Sequence, residues 1–213
     1  MGDTGKPYTG DGWPPVRKLW PDAVVAIFGA GPSLTQAQVE QTRGACQTIA
    51  VNLAYRLAPW ADLLYACDSN WWKTYEPEFA GMKVTQDQRA TRADVWRVPS
   101  VKQPGLSLDP LRIHQGANGG YQALNLAVLL GATKILLLGY DMREMDNKKH
   151  FHADHPRGLS NPYEELFTQW KANFATTLPD LKQAGVKVVN CSPGSALTCF
   201  PLAPLEDVLH VWI

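Results

Sequence analysis

Residues 24–34 read VVAIFGAGPSL: five apolar residues that stop in glycine, followed at 35–42 by a polar stretch with helical character. A continuous apolar run of this length is too short for a core helix. It suits a strand buried on both faces of a parallel sheet. The same pattern recurs at 47–52 (QTIAVN), 61–68 (ADLLYACD), 134–139 (KILLLG) and 186–190 (VKVVN), with a shorter strand at 82–86 (MKVTQ). Between these runs lie helices. Residues 119–130 (GGYQALNLAVLL) carry apolar side chains at 123, 124, 126, 127 and 130, with Asn118 as N-cap and Gly131 as the stop, and 162–183 reads as one long helix. Strands alternating with helices define an α/β fold: a single doubly wound, mostly parallel, Rossmann-like sheet with helices on both faces, spanning 22–213. The Gly- and Pro-rich residues 1–21 read as a flexible arm.

Composition narrows the function. The chain has 213 residues, 45% hydrophobic and 19% charged, which describes a globular protein. Its 20 basic and 20 acidic residues cancel, so bulk charge gives no attraction for duplex nucleic acid or an anionic membrane. Even the most apolar stretch, 123–140, is interrupted by Asn125, Gly131, Thr133 and Lys134, so no membrane span is expected. The first residues, MGDTGKPYTGDGWPP, lack the apolar core of a secretion signal, and a cytoplasmic location is expected. Cys46, Cys67, Cys191 and Cys199 have no metal-knuckle spacing and read as free thiols in a reducing compartment. Eight tryptophans offer surface for a substrate groove or for a homo-oligomer interface.

Ligands of such sheets bind beyond the carboxyl ends of the strands, which selects 29–33, 52–56, 68–72, 140–155 and 191–195. In the first of these, Gly29 and Gly31 permit a tight turn, Pro32 fits a first helical position, and Ser33 with the free N–H groups can receive a phosphate. The third glycine of a dinucleotide fingerprint is replaced by Leu34, and the second strand ends in Asn52 rather than an acid, so a nucleotide fits better than NAD. Asn52 can read a base or ribose edge or simply form a turn. Asn118-Gly119-Gly120 is a second helix start suited to an anion, with Arg112 and His114 just upstream. The densest chemistry is 143–157 (REMDNKKHFHADHPR), which holds His150, His152 and His155, three of the five histidines in the chain. A histidine base positioned by Asp154 is the leading use, since a near-neutral pKa suits proton transfer. The alternatives are a metal site built from His-x-His and the carboxylate, or a plain polar surface loop.

Taken together, GAGPSL, VNLAYR, GGYQALNLAVLLGATKILLLGYD, the histidine loop and NCSPGSALTCFPLAPL resemble the bacterial lipooligosaccharide sialyltransferases and the related 6-hydroxymethyl-dihydropterin pyrophosphokinase-like domain. Uncharacterised phage-borne proteins with an H-x-H-x-D-H-P loop look most similar. The resemblance covers about 24–205. It implies a transferase that moves a group from a nucleotide or nucleotide-sugar donor to a hydroxyl on a small-molecule or glycan acceptor. Gly29, Gly31, Pro32 and Ser33 would form the phosphate turn, Asn52 would bind the nucleoside, Asn118 with Gly119 would contact the nucleotide, and Ser192 and Ser195 would lie beside the base. His155 or His152 would be the general base. The family's turn asparagine is Ala30 here, and Arg143 and Lys149 stand where the family has tyrosines that steady the leaving phosphate. These cations suit a diphosphate. The pyrophosphokinase resemblance implies instead an ATP- and magnesium-dependent diphosphotransferase, with Asp68, Asp141 and Asp154 as metal candidates. A nucleotide-binding module without turnover is the remaining alternative.

Overall fold

In the computed structural model, residues 15–213 are described. Seven strands form one sheet in the order β5-β4-β3-β2-β1-β8-β9, every pair parallel. They are β1 (Val24–Phe28), β2 (Gln47–Val51), β3 (Leu63–Tyr65), β4 (Met82–Thr85), β5 (Trp96–Arg97), β8 (Lys134–Leu138) and β9 (Lys187–Asn190). Two short strands, β6 (Ser100–Val101) and β7 (Ile113–His114), pair separately. The helices are α1 (Gln36–Gln41), α2 (Ser69–Tyr75), α3 (Gly119–Leu130), α4 (Glu164–Ala175), α5 (Leu178–Ala184) and α6 (Leu205–Trp212).

The strands are apolar on both faces because both faces are covered. Val25, Ile27, Ile49 and Leu63 pack with residues of α3, α4 and α5, while Ala26, Phe28, Ala50 and Leu64 pack with residues of α1, α2 and α6. This is the doubly wound α/β arrangement the sequence predicts. Winding starts at β1, runs outward through β2 to β5, and then returns to lay β8 on the other side of β1. The order therefore reverses between β1 and β8, which is where ligands of such sheets lie.

Three local expectations change. Residues 162–183 form two helices, not one. The hydroxyls of Thr176 and Thr177 bond back to the carbonyls of Asn173 and Phe174, both at 2.7 Å, and Pro179, which has no N–H to continue the ladder, sits in the first turn of α5. Pro32 does not start a helix. Thr35 is the N-cap of α1 in a capping box with Gln38, so the glycine-rich turn ends before the helix begins. Finally, part of the expected arm is docked: Val16 N–H bonds the carbonyl of Pro110 and Trp20 N–H that of Leu130, each at 2.8 Å, and both side chains pack against the core. The rest of that arm, 1–14, lies outside the described residues.

All four cysteines are free. Burial holds the Cys46 and Cys199 thiols up at about 11 and Cys191 at about 12, so they are inert packing groups. Among the described residues no helix is long and apolar enough to cross a membrane.

Candidate functional site

The turn after β1 is bound tightly to the end of β8. Gly29 N–H donates to Leu138 O at 2.7 Å, Gly31 N–H to Gly139 O at 2.8 Å, and Ser33 N–H to Asp141 Oδ2 at 3.3 Å. Leu34 N–H closes on Gly31 O at 3.2 Å. These donors are spent inside the protein, so the turn serves to join two strand ends and does not present those N–H groups to a phosphate. Glycine is required at 31, where a β-carbon would collide with the Asp141 carboxylate and the Gly139 carbonyl oxygen. Asp141 is 1% exposed, and its Oδ1 has no hydrogen-bond partner. Burial raises its pKa, against the pull of the Ser33 hydrogen bonds and the Arg143 charge.

Above this turn opens a cleft of about 470 Å³. Its floor and far side carry neutral polar groups: Asn52, Asn118 and the amides of Gln86, Gln115 and Gln122. The amides form a network in which Gln115 Nε2 reaches Ser100 Oγ at 2.8 Å, Ser100 Oγ donates to Gln86 Oε1, Gln122 Nε2 reaches Gln115 O at 2.8 Å, and Tyr65 OH reaches Gln122 Oε1 at 2.8 Å. Pro162, Leu166, Phe167 and Trp170, on and just before α4, supply an apolar wall. Gln86 follows β4, four strand spacings from β8, or about 19 Å at ordinary sheet spacing. Arg143 and Lys149, on the segment that follows β8, line the same cleft. Asn52, Ala117 and Met142 line the cleft with left-handed backbone, at φ of 52°, 55° and 50°. Such positions concentrate at ligand sites.

Residues 142–162 cross this rim as a strap. Phe151 N–H donates to Ala30 O at 3.0 Å, fastening the strap over the glycine-rich turn. Farther along, His155 Nδ1 lies 2.6 Å from the Tyr75 hydroxyl at the end of α2, and the Asn161 side chain bonds both the N–H and the carbonyl of His155. The three imidazoles form one cluster. His150 and His152 stack with centroids 4.7 Å apart, and His155 lies 5.2 Å from His150 and 5.0 Å from His152. Burial, and for His150 and His155 the neighbouring imidazoles, lower all three pKa values, with His150 at about 4. In each case the surroundings favour the neutral ring.

The structure brings Asn52, Asn118, Gly119, Arg143, Lys149 and His155 to one cleft, together with Gly29, Gly31 and Pro32. It does not bring His152 there, and Asp154 is exposed with no hydrogen bond to any ring among the described residues. Asp154 acts on the cluster through its charge alone, raising each histidine's pKa against the stronger lowering effects. Lys149 is 3.7 Å from Glu144. Ser33 Oγ is buried and does not line the cleft. Ser192 and Ser195 are also buried outside it, with both hydroxyls bonded to the backbone of Tyr140. Arg112 pairs with Asp109 at 2.9 Å, and His114 Nδ1 bonds the Gly105 carbonyl at 2.9 Å, so both serve local structure. Of the metal candidates, Asp68 and Asp141 line the cleft and Asp154 does not. Among the described residues no three His, Cys, Asp or Glu side chains are grouped to hold a metal. Tyr75, the glutamine network and the apolar wall carried no motif that would have singled them out in the sequence.

The fold is a parallel, Rossmann-like α/β sheet that two solved glycosyltransferases share. One similar solved structure is the MAf glycosyltransferase from Magnetospirillum magneticum AMB-1, with a TM-score of 0.63 and 14% identity over 87% of this chain; the chain spans only 34% of that protein. Another is the sialyltransferase CstII from Campylobacter jejuni in complex with a substrate analogue, cytidine-5'-monophosphate, with a TM-score of 0.56 and 13% identity, covering 87% of this chain and 86% of that one. Neither is described as a pterin kinase or a phage protein. No family model and no curated protein matches the chain.

Proposed function

We propose that this chain is a transferase that moves a glycosyl group from a nucleotide-activated donor to a hydroxyl acceptor, with His155 as general base. The observation that carries this reading is that His155 lines a switch-point cleft together with Arg143 and Lys149, in surroundings that lower its pKa. The acceptor oxygen attacks the anomeric carbon while its proton passes to His155. The bond from that carbon to the phosphate oxygen breaks, and its electron pair leaves with the nucleotide phosphate. Arg143, Lys149 and the amino end of α3 at Gly119 and Gly120 offset the charge that develops there. The neutral amides and the apolar wall receive the uncharged parts of the ligands. Likeness of fold to two glycosyltransferases, one of them in a structure with cytidine-5'-monophosphate, supports the nucleotide-type donor.

The test is a thermal-shift panel of cytidine, uridine and guanosine mono- and diphosphates, with ATP plus magnesium as a separate arm, followed by turnover of the matching nucleotide sugar. Ligand at a hundred times its Kd adds about 2.7 kcal/mol. His155→Ala should keep that stabilisation and lose turnover by about 100-fold or more. Stabilisation only by ATP with magnesium would replace this reading with diphosphate transfer. No stabilisation by any nucleotide would overturn nucleotide-dependent transfer altogether.

A further inference from the structure

We infer that Tyr75 is the positioning residue for His155: it fixes the ring so that Nε2 faces the cleft, and holds the imidazole in one tautomer. The inference rests on the transferase reading only for its catalytic meaning. The geometry stands by itself. Tyr75 OH lies 2.6 Å from Nδ1, the rings meet at 61° with centroids 5.8 Å apart, and 80 residues of chain separate the pair. Tyr75 is itself held. Its ring packs against Trp71 at 5.3 Å and carries the Arg56 guanidinium at 5.6 Å from its centroid. On the other side, Asn161 clamps the His155 backbone, its Oδ1 accepting the His155 N–H and its Nδ2 donating to the His155 carbonyl. Asp154, the neighbouring carboxylate, makes no such bond and so cannot set the ring orientation.

A phenol partner differs physically from a carboxylate. A carboxylate only accepts, and its charge raises imidazole basicity. Tyr75 keeps its proton, orients the ring without adding charge, and leaves the imidazole neutral to lower pH. Neutral imidazole has one N–H. Where Nδ1 carries it, the Tyr75 oxygen accepts and the Nε2 lone pair is available to take a proton. Where Tyr75 donates instead, Nε2–H faces the cleft as a donor.

Nitrogen-15 NMR of the imidazoles in the full chain reads this directly. His155→Ala assigns the signal, and Tyr75→Phe and Asp154→Asn are the test and the control. Tyr75→Phe keeps the ring that packs against Trp71 and Arg56, so its melting should stay close to the wild type. The expected result is one dominant His155 tautomer in the wild type, a mixture in Tyr75→Phe, and no tautomer change in Asp154→Asn. Mixed tautomers in the wild type, or a spectrum unmoved by Tyr75→Phe, overturn the inference. A single Nε2–H tautomer that depends on Tyr75 supports the positioning role and removes His155 as the base, which separates the two failures. With a donor in hand, Tyr75→Phe should lower kcat more than it raises KM and should reshape the acid limb of the pH profile.

Discussion

Ser33 N–H donates to Asp141 Oδ2 at 3.3 Å across 108 residues of sequence, pinning the turn after β1 to the carboxyl end of β8. Because the sheet order reverses between those two strands, this bond lies at the floor of the candidate site. The glycine-rich turn thus works through packing: it brings a buried carboxyl group to the position where a phosphate nest had been the natural expectation.

Gly31→Ala should destabilise the protein by about 1–3 kcal/mol, the usual cost of forcing a methyl group into packed surroundings. The added carbon meets Asp141 and the Gly139 backbone, and only the first of these can move. Urea unfolding measures the loss. A variant within 0.5 kcal/mol of the wild type would show that the carboxylate swings aside freely.

His150 should make stability fall on the acid side of neutrality. Its folded pKa of about 4 lies below the ordinary value of 6.5, so between those limits the unfolded chain binds the extra proton. Stability is retained above pH 6.5 and lost as pH falls toward 4. Linkage gives a loss of about 2 kcal/mol between pH 7 and pH 5 from this one group. Denaturant midpoints at the two pH values check the figure, and His150→Gln should flatten the slope. An unchanged slope would mean that the ring protonates without cost.

Asn125 should be one of the most sensitive positions in the fold. It is fully buried on α3, its Oδ1 accepts the N–H groups of Ser107 at 3.0 Å and His114 at 2.8 Å, and its Nδ2 donates to Ser107 O at 2.8 Å. Asn125→Ala leaves all three partners without their bond. Each such group costs about 1–3 kcal/mol, so a loss of roughly 3 kcal/mol or more is expected in chemical unfolding. A loss below 1 kcal/mol would mean that water or a backbone shift replaces the amide.

The sheet was legible because buried parallel strands announce themselves as short apolar runs. Helix α3 was legible because Asn118 caps it and Gly131 stops it. The 143–157 loop stood out by its histidines alone. What could not be read was which groups meet there. Tyr75 at the end of α2 and Gln86 after β4 come from elements set away from β8 in the sheet, and they join the site only through strand order. Asp154, beside His155 in sequence, makes no hydrogen bond to the ring, while Tyr75, distant in sequence, makes the contact. The split near Pro179 was written in the sequence, but the apolar periodicity on either side of it outweighed the proline.

The tail after β9 offers the sharpest test of resemblance against geometry. By resemblance, Ser192 and Ser195 would lie beside the base of a bound nucleotide. In the structure, Ser195 Oγ donates to Tyr140 O at 2.6 Å and accepts from Asn190 Nδ2 at 2.9 Å and Leu197 N–H at 3.0 Å. Ser192 Oγ accepts Tyr140 N–H at 2.8 Å. Both hydroxyls therefore secure the segment that carries Asp141, and a bound ligand would have to break those bonds to reach them. Ser195→Ala should cost about 2 kcal/mol in stability, because it leaves buried partners unpaired. Its affinity for whichever nucleotide stabilises the wild type, measured by titration calorimetry below the melting range, should change less than about threefold, or 0.7 kcal/mol. A tenfold loss of affinity with stability intact would return the tail to the nucleotide and show that the segment rearranges when the ligand binds.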